Sequence, residues 1–514
     1  MRIPAVLLAM VGITSASGAA AAPAAAPDRV TLELQVSEAL GQPLPCRIHL
    51  ADAAGKPQQS PGLPFWKDHF VCDGRAALEL APGPYTYQIE RGPEYQRVSG
   101  RIELEPGPGQ TIKIVVKRIA DLRKQGWFCG DLHVHRPVHD LPLLMRAEDL
   151  DIAPVITWWN KTNLWKDQPI PDSPLRRFDG LRFYHVMAGE DERQGGALLY
   201  FNLDKPIDIM SAAAEYPSPM KFVAEARRRD RKVWIDIEKP FWWDVPVWLA
   251  SGEMDSIGLA NNHMQHGGMM ANEAWGKPRD TTRLPGPLGN GWWSQEIYYH
   301  LLNCGLRLPP SAGSASGVLA NPVGYNRVYV HLNGELEYDK WWQGLKEGRC
   351  FVTNGPLLLC TAQGELPGHV FQIRQDKPLE LQLDLRLISQ DAVPRIEIIK
   401  NGRVDQVINL DDAQSHRRAA AVSFREGGWF LARAVAGNRN TFRFASTGPF
   451  YVESGESKPR ISRTSAQFFV DWVAEREKRI RAKDLPDDQL GQIMEHQEMA
   501  RRFWQERLDR ANAE

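Results

Sequence analysis

The sequence predicts an α/β protein, with a parallel sheet or β/α barrel set between two β-sandwiches and followed by a helical tail. Three observations predict it. Segments 28–117 and 365–453 alternate apolar and polar residues with period two, as half-buried strands do. Segment 118–360 alternates short apolar runs with helical stretches, the pattern of strands joined by helices. Segment 465–513 is highly charged but carries one apolar stripe, Phe468, Phe469, Trp472 and Val473, as a helix docked on a core would.

Each element follows in order. Arg2, the apolar run Val6–Ile13 and the small residues Ala19–Ala26 read as a secretory leader over residues 1–26. Residues 27–118 form the first sandwich. Its strands are Val30–Val36, Ala77–Leu80 and Thr111–Val116, with turns at Asp73-Gly74, Pro82-Gly83-Pro84 and Pro106–Gly109. Residues 119–361 form the β/α unit. Strands are expected at Trp127–Val134, Ala153–Thr157, Phe183–Ala188, Lys232–Ile237 and Ser256–Ala260, and helices at Pro219–Arg229 and Ser294–Cys304. Residues 362–455 form the second sandwich, with Leu379–Leu385, Arg395–Lys400 and Phe430–Val435 as strands and Asn401-Gly402 as a hairpin turn. Residues 456–514 form the tail.

Bulk properties exclude some classes of function. A net charge of −1 over 514 residues lacks the basic excess of a nucleic-acid binder. No run after the leader approaches the length of a membrane span. The mature chain is therefore expected to be exported, periplasmic or extracellular. Six cysteines are compatible with that compartment, and Cys46 and Cys72 share one sandwich and could pair. Tryptophan is the outlier: thirteen of its 17 copies lie between Trp127 and Trp342, so the aromatic excess belongs to the β/α unit.

That unit also carries the candidate chemistry. Gly130-Asp-Leu-His-Val-His135 reads as a strand ending in two histidines two residues apart. Strand side chains alternate faces, so both imidazoles point the same way and can share one divalent metal. His263, Glu238 and Lys239 lie just past strand ends, where barrel enzymes place reactive groups. Glu238 and Lys239 can equally form an ion pair. Aromatic and amide residues cluster at the same ends. Trp158, Trp159, Asn160, Trp242, Trp243 and Asn262 would suit a sugar or another small molecule as pocket residues.

The order of four motifs resembles the PHP-domain metallohydrolases of the carbaryl-hydrolase type (CehA/McbA). These are Gly130–His135, Ala188-Gly-Glu190, Gly305–Ser314 and Gly348–Pro356, spread over about residues 120 to 370. The resemblance implies a distorted seven-stranded β/α barrel and a metal cluster at its strand ends. It also implies hydrolysis of an ester, carbamate or phosphoester. On it, His133 and His135 match the first metal motif, Glu190 the bridging carboxylate, and Asp140 an acid that follows. Asp131 is expected to orient a histidine. Other motifs depart: Thr157-Trp-Trp-Asn160 stands for Thr-Asp-His-Asn, Lys239-Pro240 for His-Pro, and Gly313–Gly317 for Gly-Ser-Asp-x-His. The family's full cluster cannot form, but His133, His135, Glu190 and Asp140 remain as ligands for one ion, with zinc first and manganese or iron as alternatives. The resulting expectation is an exported hydrolase using a metal-bound hydroxide. Glu238 or His263 would be its general base, and Lys239 or Arg193 its charge stabiliser. The alternative is a carbohydrate- or aromatic-binding protein on a decayed barrel.

Overall fold

The computed structural model describes residues 29–39, 41–230, 232–373, 377–455 and 459–514. The expected leader lies outside them. The architecture is mixed α/β, built mostly of sheets and closed by two C-terminal helices.

The central sheet closes on itself. Its strands are β1 (Trp127–Gly130), β2 (Ile152–Trp159), β3 (Arg182–Arg193), β4 (Gly196–Phe201), β5 (Trp234–Ile237), β6 (Ser256–Ala260) and β7 (Pro310–Ala312). Neighbours pair in that order, and closure comes from the segment after β1. There Val134 bridges Val155 on one side and Ser316 on the other, and Leu132 N–H donates to Ala312 O at 2.9 Å. The pairing is not parallel throughout. β4 runs antiparallel to both β3 and β5, because Gln194 and Gly195 turn the chain straight back. The run Gly196–Phe201 is wholly buried, so it lacks the alternation by which a strand is recognised.

Helices cover this sheet. α1 (Leu141–Glu148) follows β1, and α2 (Pro219–Arg229) precedes β5. Ser218 caps α2 by accepting from Met220 N–H at 3.3 Å, with Pro219 at the first helical position. α3 (Val245–Ser251) follows β5, and α4 (Gly289–Asn303) precedes β7. α4 begins five residues before the expected Ser294. Gly289 and Gly291 look like helix breakers, but a Cβ on Gly291 would lie 2.3 Å from the Phe442 ring, so close packing requires that glycine.

The N-terminal segment forms two facing sheets around its own apolar core of Leu32, Leu34, Ile48, Phe70 and Ile89. Cys46 and Cys72 are register partners there, free thiols with sulfurs 3.9 Å apart. Beyond the closed sheet, Arg327–His331 and Cys350–Thr353 carry hydrogen bonding from β1 into the C-terminal strands. Those strands face a separate sheet of Leu357–Ala362, Leu379–Ile388 and Ser415–Phe424. Asn401 and Gly402 both have positive φ (49° and 84°), as the expected tight hairpin requires.

The tail is two helices, α5 (Arg463–Arg481) and α6 (Asp487–Asp509), folded back on the same chain. Trp472 and Trp504 are fully buried, and Trp504 Nε1 donates to Pro246 O of α3 at 2.9 Å. Arg476 pairs with Asp244 and Glu215 at 2.7 and 2.6 Å, which ties the tail to the loops beside β4 and β5. Among the described residues, no helix is long and apolar enough to cross a membrane.

Candidate metal centre

The site begins where β1 stops. Past Gly130 the chain stays extended, and the Asp131 carboxylate fixes its path. One oxygen accepts from the backbone N–H groups of His133 and Ser314, both at 3.0 Å, and the other from Gly324 N–H at 2.7 Å. Asp131 therefore orients the histidine segment through backbone, not through an imidazole ring as expected. Gly313 lets the facing loop lie against His133, since a Cβ there would meet the His133 Cβ at 2.5 Å. Gly317, with φ of 101°, does the same for His135.

The two imidazoles converge as strand geometry predicts. Their Nε2 atoms are 3.1 Å apart. Glu190 faces both rings, one oxygen to each, with Oε1 at 3.5 Å from His133 Nε2 and Oε2 at 3.2 Å from His135 Nε2. Ligands held tetrahedrally at zinc bond lengths sit about 3.3 Å from one another. The three contacts lie close to that value, and one donor atom from each residue lies within 4.8 Å of the other two, so this donor set of two nitrogens and one carboxylate fits a small divalent cation. All three side chains are buried.

Glu238 stands behind His133, with Oε1 3.3 Å from His133 Nδ1. Its carboxylate also accepts from Asn262 Nδ2 at 2.7 Å, from Trp242 Nε1 at 2.8 Å, and from Lys239 Nζ. A carboxylate with so many donors is engaged as a holder. It fixes the His133 ring with Nε2 turned toward Glu190 and His135. Burial works against charge on His133, but Glu190 and then Glu238 outweigh it and hold the imidazole up to about 10. Burial, reinforced by the His133 charge, pushes His135 down despite Glu190. Glu190 is held well below the usual carboxylate range: burial opposes this, and His133 and His135 overcome it.

One group was hidden in the sequence. Glu192 lies two residues beyond Glu190 on β3 and so shares its face. It comes within 4.8 Å of Glu190 and Glu238. Burial first, then the charges of Glu190 and Glu238, push it up to about 7. By sequence the run Glu190-Asp-Glu-Arg193 could be either a strand end or a solvated turn, and β3 extends through all four residues. The signal was the spacing of two, masked by four charged residues in a row.

Other expected site residues fall elsewhere. Asp140 belongs to none of the His/Cys/Asp/Glu clusters among the described residues, because a turn before α1 carries it away. Its contact is His139, at 3.5 Å. His263 is likewise outside the clusters. It packs on Phe241 with ring centroids 5.1 Å apart, and burial followed by the Lys239 charge drives it down to about 3. Arg193 is committed to Asp191 at 2.6 Å, and so is not a free charge stabiliser. Trp158 is core: it faces away from Glu190, over Gly189 and against Tyr200. Trp243 is core too, with Arg479 of α5 over its ring. Asn160 holds backbone, accepting from Glu192 N–H at 2.8 Å and donating to Glu192 O.

Trp159, Trp242 and Asn262 do border the cluster. Trp159 meets His135 edge-on at 5.0 Å. Trp242 lies between Lys239 Nζ, 4.5 Å from its ring centre, and Trp275, stacked at 5.0 Å. Trp275 is 41% exposed and its Nε1 donates to Arg193 O at 3.0 Å, which places a flat apolar face beside the β3–β4 turn.

No family model and no curated protein matches the chain. Among solved structures, it aligns with 3-chlorocatechol 1,2-dioxygenase from Rhodococcus opacus 1CP at 15% identity and a TM-score of 0.14. That alignment covers 19% of this chain and 62% of the dioxygenase. It also aligns with the Bacillus anthracis TIE protein at 7% identity and a TM-score of 0.14, over 84% of this chain and 51% of that one. The chain thus spans less than two thirds of either structure.

Proposed function

We propose that this protein is an exported, metal-dependent hydrolase of the PHP type acting on an ester, carbamate or phosphoester, with one divalent cation held by His133, His135 and Glu190. The observation that carries the reading is the convergence of the two Nε2 atoms, 3.1 Å apart, on the two oxygens of Glu190 at 3.2 and 3.5 Å. A cation there supplies Lewis-acid activation of water and of the scissile group. The rest is the work of the chain. Glu238 keeps the His133 Nδ1 proton and with it the ring orientation. Glu192 is the carboxylate placed to take a proton from the attacking water and return it to the leaving group, in place of the fully engaged Glu238. Trp159 and Trp242 keep the cluster dry, which strengthens every charge interaction within it.

Elemental analysis of protein purified without chelator tests the reading, together with a panel of aryl esters, carbamates and phosphodiesters. About one equivalent of zinc, manganese or iron is expected, and His133→Ala should lose both metal and turnover. Turnover that survives this change ends the proposal. The exposed face of Trp275 favours a second reading, a binding protein for a sugar or aromatic compound. Metal below about a tenth of an equivalent, with every structural ligand expected to hold its ion tightly, would favour that one.

A further inference from the structure

We infer that the Lys239 ammonium is a built-in cation that restricts this site to a single divalent ion. The inference rests on the metal-site reading above and concerns how many ions the site accepts. Glu190, Glu192 and Glu238 each present an oxygen within 4.8 Å of the others. Glu190 and Glu192 project from one face of β3, and Glu238 enters from the end of β5. Three carboxylates this close, two of them buried and Glu192 half-buried, repel one another unless cations stand among them.

The described residues place one ammonium there. Lys239 Nζ bonds both oxygens of Glu238 and rests on the Trp242 ring. Two nearby carboxylates are engaged elsewhere: Asp191 pairs with Arg193, and Asp236 accepts from the hydroxyls of Ser256 and Ser311. Lys239 thus fills the position on Glu238 that a second ion beside the first would need. A second ion would have to expel Lys239 from both oxygens of Glu238. Asn262, Trp242 and His133 take up the other lone pairs of that carboxylate. Without the ammonium, Glu190, Glu192 and Glu238 become a three-oxygen nest beside the first ion, with Glu190 able to bridge.

Counting metal per chain tests this without reference to turnover. Wild type, Lys239→Met, Lys239→His and the double variant Lys239→Met/Glu192→Gln are loaded with manganese or zinc, desalted and analysed by mass spectrometry. Circular dichroism checks each fold. Wild type is expected to hold one ion, each single variant two, and the double variant one, because removing the Glu192 carboxylate removes one of the three that would hold the second. A wild-type chain that holds two ions overturns the inference by itself, whatever the variants do. So does a folded Lys239→Met or Lys239→His chain that still holds one. Wild type with no metal overturns the parent reading of the site and is a distinct result.

Discussion

At the scale of single residues, the site divides into atoms that face the cation niche and atoms that hold them. His133 belongs to the first group and Glu238 to the second, and the two kinds of change should separate experimentally. Glu238→Gln keeps the size of the side chain but loses the charge that anchors His133 Nδ1. Metal affinity is expected to fall about 10- to 100-fold, the usual cost of losing such a support, as measured by competition with a chromophoric chelator. Glu192→Gln should do the reverse. Metal content stays at the wild-type level while kcat falls by about 10²- to 10⁴-fold, the range for loss of a general base. Equal loss of metal in both variants would assign Glu192 to ligation instead. The two residues could not be told apart in the sequence. Each is a glutamate near a strand end, and only the count of donors around each carboxylate distinguishes them.

At the scale of elements, the turn between α1 and β2 is the most heavily charged joint. Asp149, with φ of 51°, accepts from Arg182 at 2.5 Å and Arg118 at 2.9 Å, and Arg91 and Arg123 lie at 3.4 and 3.2 Å. It is buried, and despite that burial the arginines hold its carboxyl below the usual range. Asp149→Ala leaves several guanidinium groups without their anion. We expect a loss of about 3–5 kcal/mol of stability, the cost of breaking a buried ion network on one side, read from urea denaturation. A loss below about 1 kcal/mol, the worth of a surface pair, would show that the arginines find other partners. The β3–β4 hairpin is the corresponding joint of the site. A Cβ on Gly195 would sit 1.9 Å from Asp244 Oδ2, so Gly195→Ala should loosen both the tail contact at Arg476 and the strand that bears Glu190.

At the scale of the whole molecule, Glu94 joins the N-terminal sandwich to the segment before β1 and to the strand Arg327–His331 beside it. It accepts from Leu122 N–H at 2.7 Å and from Tyr329 Oη at 3.1 Å. Burial, and after it the charge of Asp149, pushes its carboxyl up to about 7. The folded protein then keeps a proton that the unfolded chain releases above its ordinary value of about 4.3. Stability from this group is complete below that value and falls as pH rises toward 7, by on the order of 3 kcal/mol. Glu94→Gln removes the titration and keeps the acceptor. The wild-type Tm should therefore drop relative to the variant between pH 5 and pH 8. Parallel curves would mean that Glu94 titrates normally.

The sequence alone determined which segments are strands and helices wherever the period was clean. The sandwich strands, the Asn401-Gly402 hairpin, α2 and the docked tail are all local patterns of alternation, capping and turn chemistry. It also determined that His133 and His135 share a face, because strand geometry fixes neighbours two apart. It failed where burial erases the pattern, as at β4, or where charge imitates a turn, as at Glu192. What tertiary structure decided was which distant groups meet. Glu190 comes to the histidines because β3 pairs beside β2 with Trp159 opposite Glu190, and Glu238 stands behind His133 because the sheet closes. Asp140 is carried off by a turn, and Trp158 faces away because its strand alternates. Such meetings depend on pairing between segments far apart in the chain, and no local signal encodes them.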